Sequence, residues 1–151
     1  MNPLKASKIS REDHMQFDHL EIVRIAIEAG ASIMDIYESS GQIEVQSKDD
    51  DSPLTKADIA AHKIIIRGLA TIDPEVPVVS EEGRVGDPKQ SELAWLVDPL
   101  DGTKEFIKRN GMFTVNIALM KRMNASWKPI FGVVHAPVNS CLLYTSPSPR
   151  D

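Results

Sequence analysis

The stretch Trp95-Leu96-Val97-Asp98-Pro99-Leu100-Asp101-Gly102-Thr103-Lys104-Glu105-Phe106 decides how this chain folds and what it holds. Three apolar residues, Trp95 to Val97, read as a strand delivering the backbone into two aspartates three positions apart. On a regular strand that odd offset points Asp98 and Asp101 to opposite faces. Pro99, with its fixed φ, must turn the chain for the two carboxylates to converge. Gly102 removes a side chain where a ligand must approach the backbone. Two carboxylates, a free carbonyl and a hydroxyl then share one corner. Hard divalent cations such as Mg2+ select that oxygen-rich donor set. A helix starting at Thr103 would add an anion site through its free N–H groups, so the corner could hold a phosphate.

Working outward, Thr55-Lys56-Ala57-Asp58 and Ser80-Glu81-Glu82 supply further acidic and hydroxyl groups after apolar segments. Singly, these motifs are ordinary. Thr-x-x-Asp is usually a helix cap, Glu-Glu after a strand is usually a solvated loop, and Asp-Pro-Leu-Asp-Gly is usually a surface turn. Their joint occurrence in this order points to a metal-dependent phosphatase. Phosphatases of the haloacid dehalogenase type are disfavoured, because they place one residue between their aspartates and this chain places two. An EF-hand is excluded, because Asp49-Asp50-Asp51-Ser52-Pro53 lacks the central Gly and the terminal Glu at their spacing.

Periodicity sets an α/β frame around these motifs. From His14 to Glu38, Leu20, Val23, Ile27, Met34 and Tyr37 form one helical stripe. Ile22, Ala26, Ala29, Ile33 and Ile36 form its neighbour. Ile43 and Val45 predict a short strand, and 49–53 a loop. A second helix is predicted over Lys56–Ala70, capped by Thr55, with Asp58 in its first turn and Ile59, Ile65, Ile66 and Leu69 buried. Pro77–Ser80 and Ala94–Val97 read as strands, with Gly83–Glu92 a polar loop between them. Phe113–Met120 and Ile130–Val134 predict a hairpin joined by the polar stretch Lys121–Pro129.

Composition bounds the function classes. The 151 residues make about one domain, with 42% hydrophobic and 26% charged residues, which is globular. No apolar run approaches the ~20 residues of a transmembrane segment. Residues 1–13 are a polar extension without the apolar core of a secretory signal, so a cytoplasmic location is the default. Net charge is −5, with lysines and arginines scattered, which argues against a nucleic acid polymer as partner. An acidic protein acting on an anionic substrate needs bridging cations. Nothing in the pattern specifies an oligomer.

Cys141 is the single cysteine, so no internal disulfide or cysteine zinc cage forms. Residues 141–151 break from the pattern and match the translation of a sequencing adapter. The expectation is a native phosphatase segment over 14–140 followed by a non-native tail without turn or helix logic.

With these residues quoted, the chain resembles the N-terminal half of the inositol monophosphatase superfamily, whose signature is Asp-Pro-(Leu/Ile)-Asp-Gly-Thr. The likeness covers about Leu20 to Val138. It is strongest to the bisphosphate nucleotidase branch, along Trp95–Gly111 and Phe113–Leu119, with Asp51–Asp58 and Val79–Glu82 also matching. Inositol monophosphatases tend to read Gly-Thr-Thr-Asn-Phe where this chain reads Gly-Thr-Lys-Glu-Phe.

The resemblance implies a layered α-β-α-β-α sugar-phosphatase fold, of which only the N-terminal α+β half is present. It implies Glu81, Asp98, Asp101 and the Leu100 carbonyl as ligands of two or three Mg2+ ions per complete site. Asp58 and Thr103 would position and deprotonate the attacking water. Glu81, Leu100, Asp101, Gly102 and Thr103 would line the substrate phosphate, with backbone N–H groups from Gly102 and Thr103. The implied substrate is a small phosphorylated nucleotide, adenosine 3′,5′-bisphosphate, cleaved to AMP and phosphate. An inositol or sugar monophosphatase and a non-catalytic fragment are the alternatives. The superfamily completes its metal site with a Trp-Asp-x-Ala-Ala-Gly segment, and these 151 residues contain none. The chain by itself is therefore expected to have little or no phosphatase activity.

Overall fold

The computed structural model describes residues 18–40 and 52–145. The elements are α1 (His19–Ser40), α2 (Pro53–Ile72), β1 (Val78–Ser80), β2 (Gly83–Val85), a 3-10 turn (Pro88–Gln90), β3 (Leu93–Asp101), α3 (Thr103–Lys108), β4 (Thr114–Met123), β5 (Ser126–Ala136) and β6 (Cys141–Thr145). Among the described residues the strands form one six-stranded sheet in the order β2-β1-β3-β4-β5-β6. β1 and β3 are parallel and the other neighbours antiparallel. α2 packs over β3, and α1 over β4 and β5. This is the α/β layering expected, with the helices on one sheet face.

Both apolar stripes of α1 cannot face the same sheet. Ile22, Ala26, Ala29 and Ile33 are fully buried, whereas Leu20 and Ile27 are 65% and 46% exposed. The reason is close approach: the stripe carrying Ala26, Ala29 and Gly30 lets the helix backbone near the sheet. A Cβ on Gly30 would come within 2.6 Å of the His135 ring on β5. The expected helix start at His14 and the strand at Ile43–Val45 lie outside the described residues.

α2 begins earlier than its apolar period indicates. Its N-cap is Ser52, not Thr55, and Pro53 takes the first helical position, where a missing N–H costs nothing. Ser52 Oγ accepts the Thr55 N–H at 3.0 Å and donates to Thr55 Oγ1 at 2.9 Å. Asp58 is consequently in the second turn, not the first, and is 2% exposed. Burial rather than the helix dipole distinguishes it. Ile65 and Leu69 are buried as expected, but Ile59 is 40% exposed and Ile66 half-buried.

The strands alternate as a half-covered sheet requires. Trp95, Val97, Val115, Ile117, Leu119, Phe131 and Val133 are buried beneath the helices, each contributing about 1.5–3 kcal/mol. The polar stretch Lys121–Pro129 is strand rather than loop, because Met123 pairs with Ser126 across a tight turn in which Asn124 has φ 58°. Solvent exposure at the sheet end explains its polarity. The predicted loop Gly83–Glu92 contains β2 and the 3-10 turn. Residues 141–145, read from sequence as the start of a non-native tail without turn or helix logic, pair with β5 as an edge strand.

Candidate metal centre and phosphate site

Three strand pairings and one helix build the corner at the end of β3. β3 continues through the aspartates to Asp101, beyond the Val97 at which sequence ended it. Asp98 pairs with Asn116 and Asp101 with Thr114, so three steps on β3 match two on β4. That mismatch is a β-bulge, and it absorbs the odd offset. Because Asn116 and Thr114 share a face of β4, the bulge turns Asp98 and Asp101 toward one side. Pro99 lies inside it, buried, where no ladder N–H is required of it.

The parallel pairing of β1 with β3 sets Ser80 opposite Val97. Glu81, the next residue, therefore stands beside Asp98, and its N–H reaches the Val97 carbonyl at 3.4 Å. Ser80 pairs with Gly83 across the β1–β2 hairpin, which makes Glu81 and Glu82 its turn residues.

Gly102 caps α3 in the left-handed region, at φ 100°. A Cβ there would lie 3.2 Å from the Phe113 Cα, so the backbone runs too close to β4 for a side chain. α3 starts at Thr103, and its N-cap makes no side-chain bond. Ring contacts hold the helix in place: Phe106 lies 5.2 Å from Tyr37 and 5.3 Å from Phe113. The Arg109 guanidinium covers the Tyr37 ring at 4.1 Å.

The electrostatics single out Asp98. Its pKa is raised from 3.8 to about 6, first by burial, then by the charges of Glu81, Asp101 and Asp58, against the lowering effect of the Leu100 N–H. Asp98 Oδ1 is buried with no hydrogen-bond partner. Four carboxylates from α2, the β1–β2 turn and β3 thus bear on one point. Glu81, Asp101 and Thr103 are exposed, and the Leu100 side chain is buried in the core.

Among the described residues, no three histidine, cysteine or acidic side chains are grouped so that they could hold a metal ion by themselves. The donors are nevertheless right for a hard cation: carboxylate and carbonyl oxygens, mutually repelling, one of them an orphaned buried atom. A cation would relieve both the repulsion and the orphaned oxygen. The chemistry of these oxygen donors suits Mg2+.

Sequence reading assigned no role to Asn116 or Thr114. Asn116 Nδ2 donates to Asp101 Oδ2 at 3.0 Å, and Thr114 Oγ1 donates to Asn116 Oδ1 at 3.2 Å. The signal was available: Phe113-Thr114-Val115-Asn116-Ile117 alternates polar residues onto one face of an otherwise apolar strand. A groove of about 390 Å³ runs from Glu81, Asp98 and Asn116 past Leu96, Ala118 and Gly132 on the open sheet face. No helix among the described residues is long and apolar enough to cross a membrane.

Comparison with known proteins identifies relatives of this chain. The 3′(2′),5′-bisphosphate nucleotidase CysQ of Salmonella typhimurium is 49% identical over 132 residues, covering 83% of this chain and 50% of that protein. The enzyme of the same name from Escherichia coli strain K12 is 54% identical over 120 residues, covering 78% and 47%. The crystal structure of CysQ from Bacteroides thetaiotaomicron superposes with a TM-score of 0.72 at 42% identity, covering 86% of this chain and 46% of that one. The chain therefore spans about half the length of these relatives. The sequence pattern described as "Inositol monophosphatase family" matches residues 16–148. The chain belongs to the inositol monophosphatase family.

Proposed function

We propose that this chain carries the metal- and phosphate-binding part of a Mg2+-dependent phosphomonoester hydrolase that removes the 3′-phosphate of adenosine 3′,5′-bisphosphate. The observation carrying the proposal is the bulge that turns Asp98 and Asp101 to one side, with Glu81 beside Asp98. The names of the relatives support the substrate class. Lys104-Glu105 after Gly102-Thr103 favours the nucleotide over inositol phosphates.

In this reading Glu81, Asp98, Asp101 and the Leu100 carbonyl hold Mg2+. Bound there, it supplies Lewis-acid chemistry, making a water nucleophilic near neutral pH and neutralising phosphate charge. Asp58 and the Thr103 hydroxyl orient that water and accept its proton. The Gly102 and Thr103 N–H groups donate to the phosphate oxygens. The water oxygen bonds to phosphorus opposite the 3′-oxygen. The bond from phosphorus to the 3′-oxygen breaks, and that oxygen leaves with a proton, giving AMP and inorganic phosphate.

The test uses the chain alone and the chain completed by the C-terminal half of the Salmonella relative. Phosphate release is followed with adenosine 3′,5′-bisphosphate and with inositol 1-phosphate. The completed protein is expected to hydrolyse the nucleotide in Mg2+ and to lose nearly all turnover on Asp98→Asn. Unchanged kcat in that variant would sink the metal assignment. Preference for inositol 1-phosphate would overturn the substrate class. Robust Mg2+-dependent release by residues 1–151 alone would overturn the view that the site is partial.

A further inference from the structure

α2 and the β1–β2 turn meet at a polar contact outside the donor set. His62 Nδ1 lies 3.1 Å from Ser80 Oγ, and both residues are half-buried. The same Oγ accepts the Glu82 N–H at 3.3 Å. One hydroxyl therefore braces the turn that carries Glu81 and ties that turn to α2. A serine hydroxyl accepts and donates at once, so the bond forms with either neutral tautomer of His62.

The location of this bond gives it consequence. His62 stands four residues after Asp58, on the same face of α2 and one turn along. β1 is only three residues long, and Glu81 at its end is exposed. The Glu81 N–H has a long 3.4 Å bond to β3. The link from His62 to Ser80 is a direct tie between the Glu81 turn and the helix bearing Asp58.

We infer that His62 is a positioning residue: by holding Ser80 it fixes Glu81 relative to Asp58 and so tightens divalent-cation binding. This rests on the metal reading above. Groups that orient ligands from behind commonly change metal affinity by 10–100-fold, and a single bond one residue removed from the ligand belongs at the lower end.

The probe is Mn2+ alone, titrated calorimetrically and by electron paramagnetic resonance into residues 1–151. His62→Ala is expected to weaken Mn2+ binding about tenfold. His62→Asn, whose amide occupies the place of Nδ1, restores it, whereas His62→Gln, reaching the place of Nε2, does not. Ser80→Ala deletes one oxygen and is expected to match His62→Ala, which separates the effect from a folding defect. Wild-type affinity in His62→Ala, or an Asn variant as weak as the Ala variant, overturns the inference.

Hydrogen exchange of the Glu82 amide provides a metal-free readout. Faster exchange in His62→Ala, slowed again in His62→Asn, upholds the brace; equal rates in wild type and His62→Ala overturn it. A wild-type chain with no affinity for Mn2+ overturns the metal reading instead, and the exchange rates then decide the brace by themselves.

Discussion

Asp98→Asn should stabilise the metal-free chain, and by an amount that depends on pH. In the folded chain the Asp98 pKa rises from 3.8 to about 6, because burial and the charges of Glu81, Asp101 and Asp58 oppose ionisation. A displacement of that size corresponds to about 3 kcal/mol for a fully buried group. Asp98 is half-buried, so solvent screening reduces the figure to about 1–2 kcal/mol.

The sign follows from proton counting. Between pH 3.8 and about 6 the folded state binds more protons at Asp98 than the unfolded state does, so this residue makes stability fall as pH rises. Above pH 6 the penalty is fully present; below 3.8 it is gone. Asparagine carries no charge and removes it.

Urea unfolding of wild type and Asp98→Asn across this range, in chelator, measures the difference directly. The variant should be more stable by about 1–2 kcal/mol near neutral pH, converging with wild type toward the acid end. Saturating Mg2+ should reverse the order by stabilising wild type alone. An Asn variant no more stable than wild type at neutral pH, or a gain that persists undiminished in acid, would refute the repulsion argument.

Two further outcomes test the frame of the site. Gly102→Ala should destabilise the chain by about 1–3 kcal/mol, because a side chain is forced into the left-handed region at φ 100° and against the Phe113 backbone; urea unfolding reads the loss. Asn116→Ala removes the donor to Asp101 Oδ2 and should weaken Mn2+ binding about tenfold by calorimetry, while leaving the melting temperature within a few degrees.

The helices show how far local pattern reaches. The apolar period of α1 marked a helix but offered two adjacent stripes of similar hydrophobicity. Only packing against the sheet and α2 separates Ala29, fully buried, from Ile27, left exposed. Backbone proximity favours small residues at the contact, a preference invisible to a hydrophobicity count. At α2, Ser52-Pro53 carried the start signal, yet Thr55 with Asp58 three residues on also reads as a cap and drew the predicted boundary inward to Lys56. β2 escaped notice because its three residues are exposed and bury nothing.

The sequence by itself determined the α/β class and the family, and its short motifs singled out Asp98, Asp101, Glu81 and Asp58 as the carboxylates to look for. It raised a helix at Thr103 or just after only as a condition of an anion site, and α3 does begin at Thr103. The tertiary structure decided how these carboxylates meet. The bulge opposite Asn116 and Thr114 turns two oddly spaced aspartates to one side, the parallel register of β1 and β3 brings Glu81 beside Asp98, and α2 brings in Asp58. Motifs record chemistry that a few neighbouring residues define, whereas register and bulge are set by hydrogen bonds between strands far apart in the chain. No window of sequence contains both partners of such a bond, and that is where the site takes its shape.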